Sequence, residues 1–206
     1  MFLSLTIISV VAGAVLASVN EVTKEPIALA KKAKLEDSIR AVVPEFDNSP
    51  SEEMFKVELA SGDSIAIYPA KQGAALVGAA IETNTMDGFS GEIRILTGLT
   101  PEGLIYNYAI LAHAETPGLG SKMDPWFKTD KNNQSILGKD LSKGVLALSK
   151  DGGEVDAITA STITSRAFMQ AVNKAYSAFQ LGIQGEEATE NAPVDGQSDA
   201  TSGATN

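Results

Sequence analysis

Two short stretches of this chain carry the residue types needed to hold a phosphorylated ligand. The first is Asp156-Ala157-Ile158-Thr159-Ala160-Ser161-Thr162-Ile163-Thr164-Ser165, in which five of ten side chains are alcohols. An apolar-periodic run follows, with Ala167, Ala171, Val172, Ala175, Tyr176 and Phe179 on one helical face. The alcohols therefore stand at a helix start, a place with two uses. Hydroxyls there can cap the free N–H groups of the first turn. The same N–H groups, with the positive end of the helix dipole, can seat a phosphate. For an isolated Ser/Thr cluster the cap is the default reading; the alternative makes one threonine a hydroxyl to which a phosphate can be esterified. The second stretch is His113-Ala114-Glu115-Thr116-Pro117-Gly118-Leu119-Gly120. Its last four residues alone read as an ordinary turn, and its glycines would let backbone approach a ligand closely. Glu115 either fixes this loop or lies beside the ligand. His113, the only histidine, reads as a structural hydrogen-bonding residue.

The elements that must position these stretches follow from pattern. Met54 to Leu59 and Ser64 to Pro69 alternate at period two around the turn residues Ala60 to Asp63, which predicts a hairpin. Gly73 to Thr83 reads as a strand buried on both faces, with a helix as the alternative because of its alanines. Gly91 to Thr97 and Gly103 to His113 are further strands, joined by the turn at Thr100 to Gly103. Strands in series joined by short turns predict an α+β fold: a mostly antiparallel sheet with flanking helices. Ala114 to Leu148 is rich in Gly, Pro and polar residues, and a loop that long is usually functional. Within it Trp126 and Phe127 read as packing residues. The best helix of the globular part is expected from Thr164 onward.

Residues 1–19 contain no charged side chain and are about long enough to span a bilayer as a helix. A cleaved signal peptide is the rival, but the basic start it wants is missing. The expectation is a single N-terminal transmembrane helix, then a juxtamembrane helix over residues 20–45 that Pro26 initiates at its first turn, a globular domain over 46–183 and an acidic disordered tail over 184–206. With 16 Lys and Arg against 26 Asp and Glu, and no basic cluster, nucleic-acid binding is not expected. The absence of cysteine removes disulfides, thiolate metal sites and cysteine-ligated iron–sulfur clusters, and a single histidine argues against a metal or haem site.

Taken together the motifs resemble a known family. Asp156 to Thr162 is similar to the D-x-x-[ST]-G-A-T flavinylation motif of the RnfG/NqrC FMN-binding domain family. His113 to Gly120 resembles its H-x-E-T-P-G-L-G loop, and Gly88-Phe89-Ser90-Gly91-Glu92-Ile93 its G-[FY]-x-G-x-I segment. The order of the three, with one N-terminal span, is most like the RnfG branch, over roughly residues 1–179. Two positions depart from the pattern: Ala160 stands where glycine is usual and Ser161 where alanine is usual. Ala160 disfavours a positive φ at that turn.

The resemblance implies covalent FMN, joined by a phosphoester to Thr162, with Thr159, Ala160, Ser161, Ile163 and Thr164 on one side and Glu115, Thr116, Gly118, Leu119 and Gly120 on the other. Thr159, Ser161 and Thr164 are expected to donate hydrogen bonds to the phosphate. No catalytic residue or metal is implied. The implied role is a relay subunit of the Rnf complex, which couples ferredoxin:NAD electron transfer to Na⁺ or H⁺ translocation. Implied partners are the other membrane and iron–sulfur subunits of that complex, a flavin transferase for maturation, and membrane lipid. The implied location is the bacterial inner membrane, single-pass, with the globular domain on the extracytoplasmic side. An NqrC-type subunit of the Na⁺-translocating NADH:quinone reductase, or an anchored FMN-binding sensor without electron flux, is the alternative. Asp199 to Thr205 matches D-x-x-S-G-A-T literally, but only Asn206 follows it, so Thr162 is preferred on context.

Overall fold

The computed structural model describes residues 2–184. The tail motif at Asp199 to Thr205 lies outside the described residues.

The first element, α1 (Phe2–Val42), is one continuous helix of 41 residues. Its N-terminal part is apolar and exposed, with a window long and apolar enough to cross a membrane. The expected helix start at Pro26 is corrected: Pro26 lies inside α1. Proline in a helix interior removes the bond its N–H would give to Val22 and costs about 3 kcal/mol. The helix continues because Pro26 sits at an exposed position, where solvent can serve the freed carbonyl, between segments that are each strong helix formers. The C-terminal end of α1 is more than a linker. Ile39, Val42 and Val43 are buried against the sheet.

The expected hairpin and strands form a five-stranded antiparallel meander in sequence order: β1 (Phe55–Glu58), β2 (Ser64–Gln72), β3 (Ala75–Gly88), β4 (Gly91–Leu99) and β5 (Ile105–His113). The segment for which a helix remained open is therefore a strand. Both faces of the sheet are covered, which explains its near-continuous apolar runs. One face puts Ile65, Ile67, Ile81, Ile93 and Ile95 under the long helix α3 (Thr162–Phe179), whose Ala167, Phe168, Ala171, Val172, Ala175 and Phe179 complete the main core. The alternate residues Tyr68, Ala80 and Leu96 meet the end of α1 on the other face. Gly98 permits this second contact, since a Cβ there would lie 1.6 Å from the Val42 carbonyl oxygen.

The long segment after β5 divides in two. Residues 115–120 stay at the surface edge of the sheet. The remainder, including α2 (Met123–Trp126), wraps the core with Met123, Phe127, Ile136, Leu141 and Leu148. Phe127 stacks on Phe168 with centroids 4.5 Å apart, the packing role expected for it. Trp126 donates from Nε1 to the Asp156 carbonyl at 2.9 Å, so this loop fixes the approach to α3.

Candidate functional site

α3 begins at Thr162, two residues earlier than the sequence pattern suggests, so Thr162 is the first residue of the helix rather than part of the turn before it. In that turn Ala160 has φ +61°, a left-handed conformation that costs an L-residue about 1–2 kcal/mol. Ser161 holds the cap position, but its side chain makes no cap bond, and this corrects the simple cap reading. Ser165 ties the turn instead: its Oγ donates to the Ser161 carbonyl at 2.9 Å and accepts the Ile158 N–H at 3.0 Å. The N–H groups of Thr162, Ile163 and Thr164 meet no acceptor among the described residues. Helix starts leave such donors free, and a phosphate is one of the partners that satisfies them.

Glu115 is the link between the two sequence motifs. Its carboxylate is only 5% exposed. Oε1 accepts the Ser90 N–H at 3.0 Å from the β3–β4 turn, and Oε2 accepts the Thr164 hydroxyl at 2.7 Å from the first turn of α3. The Glu115 N–H donates to Nδ1 of His113 at 3.1 Å, the structural role expected of that histidine. Two glycines make room for the carboxylate. A Cβ on Gly88 would lie 2.7 Å from Oε1, and one on Gly120 would lie 2.4 Å from Oε2.

Between these segments lies a cleft of about 340 Å³. Exposed apolar side chains of Phe89, Leu119 and Ile163 flank it, Glu115, Thr116 and Gly120 form one side, and residues 160–164 form the other. The two motifs, some forty residues apart in sequence, thus share one cleft. Three sequence-predicted residues are placed otherwise than expected. Thr164 is 1% exposed and its hydroxyl is committed to Glu115 because it faces the core side of α3. Thr159 is exposed and does not line the cleft. Gly118 does not line it either; at φ +78° it serves the turn and donates its N–H to Ser121 Oγ at 2.9 Å. A separate hollow of about 180 Å³ beneath the end of α1, beside Arg40 and Phe46, holds none of the predicted residues.

Three cleft neighbours were absent from the sequence-predicted set. Phe89 and Ser90 belong to the Gly88 to Ile93 segment, whose pattern was legible though the residues' roles were not. Lys150 carried no signal at all, yet its Nζ lies 3.4 Å from Thr162 Oγ1.

Residues 88–177 match the family model described as FMN-binding domain, a span that begins at Phe89's turn and takes in Glu115, Lys150 and Thr162. The chain is 33% identical over 182 residues to RnfG of Aliivibrio fischeri (strain MJ11), a subunit of an ion-translocating oxidoreductase complex, covering 84% of this chain and 86% of that protein. It is 36% identical over 170 residues to the protein of the same name from Yersinia pestis, covering 77% and 79% respectively. The counterpart in Vibrio vulnificus (strain YJ016) is 34% identical over 178 residues, covering 82% of this chain and 83% of that protein. The chain belongs to the RnfG family. Its FMN-binding domain is thus the sheet, the Glu115 loop and α3, and the cleft has what the group requires: free N–H donors and a hydroxyl at one end, apolar walls at the other.

Ala160 is the position where the family motif places glycine, and the structure gives that choice a cause. Ala160→Gly is expected to raise the free energy of unfolding by about 0.5–1 kcal/mol, because relief of the left-handed strain exceeds the added flexibility of glycine. Denaturant unfolding of the two full-length chains in the same detergent measures this; a lower midpoint for the glycine variant would contradict the left-handed turn.

Proposed function

We propose that this chain is a membrane-anchored electron-transfer subunit of an Rnf-type complex, carrying FMN as a phosphoester on Thr162. One observation carries the reading: a threonine hydroxyl at an uncapped helix start, inside an apolar-walled cleft, within the matched FMN-binding domain. FMN supplies the redox chemistry when bound, while the protein supplies position and electrostatics. Thr162 Oγ1 is the point of attachment. The first-turn N–H groups and the dipole of α3 hold the anionic phosphate. Phe89, Leu119 and Ile163 exclude water from the ring, and Glu115 keeps the two sides of the cleft in register. Thr116, Gly120, Ala160 and Ser161 contribute the remaining bed.

The relatives' shared name supports assembly with other subunits of an ion-translocating oxidoreductase. In the finer reading the complex exchanges electrons between ferredoxin and NAD and moves Na⁺ or H⁺, its membrane and iron–sulfur subunits are the redox partners, and a flavin transferase loads the cofactor. The apolar start of α1 is the anchor in the bacterial inner membrane. Beyond its first 19 residues the helix extends about 35 Å, which holds the domain away from the bilayer on the extracytoplasmic side. A tether then prevents the loss of a cofactor outside the cytoplasm.

The test is direct. The wild-type chain, expressed with a flavin transferase and denatured on a gel, should fluoresce as flavin. Its Thr162 peptide should carry the mass of FMN less one water, as an ester requires. A dark band from such cells would end the covalent reading.

A further inference from the structure

An ester on Thr162 leaves a phosphate with one negative charge, and the cleft as lined offers that charge little help from side chains. Glu115 is the one ionisable side chain among its lining residues, and it is an anion. The chain as a whole carries a formal charge of −10. Backbone N–H groups provide hydrogen bonds but only partial charge. A cation close to the Thr162 hydroxyl would complete the seat.

We propose that Lys150 is that cation, a phosphate-binding residue that pairs with the anionic end of the flavin held at Thr162. The inference rests on the FMN reading of the same cleft. Lys150 Nζ lies 3.4 Å from Thr162 Oγ1, the atom that would carry the phosphorus, so its ammonium is within reach of the phosphate oxygens. Among the described residues it forms no salt bridge of its own.

Its position is built rather than accidental. Lys150 sits in a 3-10 turn, Ser149–Asp151, that three contacts fasten to the Thr162 region. Asp151 receives two hydrogen bonds from Arg166, at 2.8 and 2.7 Å. Arg166 is four residues after Thr162, hence on the same face of α3 one turn further on. The Ser149 N–H donates to the Val155 carbonyl at 2.8 Å, and the Ser149 hydroxyl donates to Asp156 Oδ1 at 3.0 Å. The turn is thereby tied both to α3 and to the segment that leads into it. Arg166 holds the Asp151 carboxyl below the usual carboxylate range, so that pair is ionised at neutral pH. The guanidinium is consumed by this clasp, and Lys150 is the cation left facing Thr162.

The test separates charge recognition from a structural role by comparing FMN with riboflavin, which lacks the phosphate. In full-length chain carrying Thr162→Val, so that no ester forms, flavin fluorescence is titrated in detergent. Lys150→Met should weaken FMN binding about fivefold, the size of an exposed charge contact, and leave riboflavin unchanged. Lys150→Arg should restore FMN binding, and the difference should vanish near 1 M salt, where screening acts over about 3 Å. With Thr162 intact and flavin transferase limiting, the fluorescent band per protein should fall about fivefold in Lys150→Met and recover in Lys150→Arg. Equal weakening of both flavins, or a band as bright as wild type, overturns the role of Lys150 alone. A dark band from the wild-type chain overturns the FMN reading and this inference with it.

Discussion

Thr162→Ala abolishes the flavin fluorescence of the denatured band, while Thr205→Ala leaves it at wild-type intensity and Thr162→Ser retains it. This is the largest effect expected of any single substitution in the chain, because an ester needs an oxygen and alanine has none. By fidelity to the family motif the tail threonine would be preferred, since Asp199 to Thr205 matches it at every position. Physical context reverses that choice. Thr162 stands at the head of an 18-residue helix with free N–H donors beside it, whereas a single residue follows Thr205. The substitution should cost little stability. Thr162 is half-buried at the first helical position and its hydroxyl makes no cap, so a change within about 0.5 kcal/mol is expected. Loss of flavin with an unchanged unfolding midpoint therefore reports chemistry and not misfolding. Fluorescence that survives in Thr162→Ala and disappears in Thr205→Ala would move the site to the tail.

What the sequence displayed and what it concealed differ in physical kind. The sheet was legible because its strands alternate in character and are punctuated by glycine turns, so local pattern and global topology agree. The start of α3 was displaced by two residues because threonine is a poor guide to whether a position caps a helix or begins it; the strained Ala160 and the Ser165 clasp settle that here. Pro26 misled for the opposite reason. Its local rule is strong, but a long apolar run on one side and a helix-favouring run on the other carry the helix through it. The site's two motifs were each visible, and their resemblance to one family placed them together. The bonds that join them were not visible. A hydrogen bond between Glu115 and Thr164 spans 49 residues, and periodicity carries no information about such a pairing. Lys150 is the extreme case: an exposed lysine in a polar loop, distinguished only by the Arg166–Asp151 clasp that aims it.

Glu115→Ala should be the most damaging substitution that leaves Thr162 in place. It leaves two donors, the Ser90 N–H and the Thr164 hydroxyl, without their acceptor in a nearly buried setting. Unsatisfied buried polar groups cost about 1–3 kcal/mol each, so a loss of about 2–4 kcal/mol in unfolding free energy is expected. The functional loss should exceed the thermodynamic one, because the same carboxylate fastens the Phe89 turn to the first turn of α3 and so sets the width of the cleft. Covalent flavin per protein should fall at least about tenfold, as displacements near one ångström do where geometry governs reaction. Glu115→Gln distinguishes the clasp from the charge. The amide can accept from Ser90 through its oxygen and donate to the Thr164 hydroxyl, which can rotate to accept. Glutamine should therefore preserve stability and attachment, and removing a negative charge beside the phosphate should, if anything, favour loading. Gly120→Ala approaches the same joint from the other side, since its Cβ would press on Oε2 at 2.4 Å and on Thr164 Oγ1 at 2.7 Å. If Glu115→Ala and Gly120→Ala both load flavin and unfold as wild type does, the carboxylate is not what holds the cleft together. If glutamine fails as badly as alanine, the charge itself is required and the clasp account is wrong.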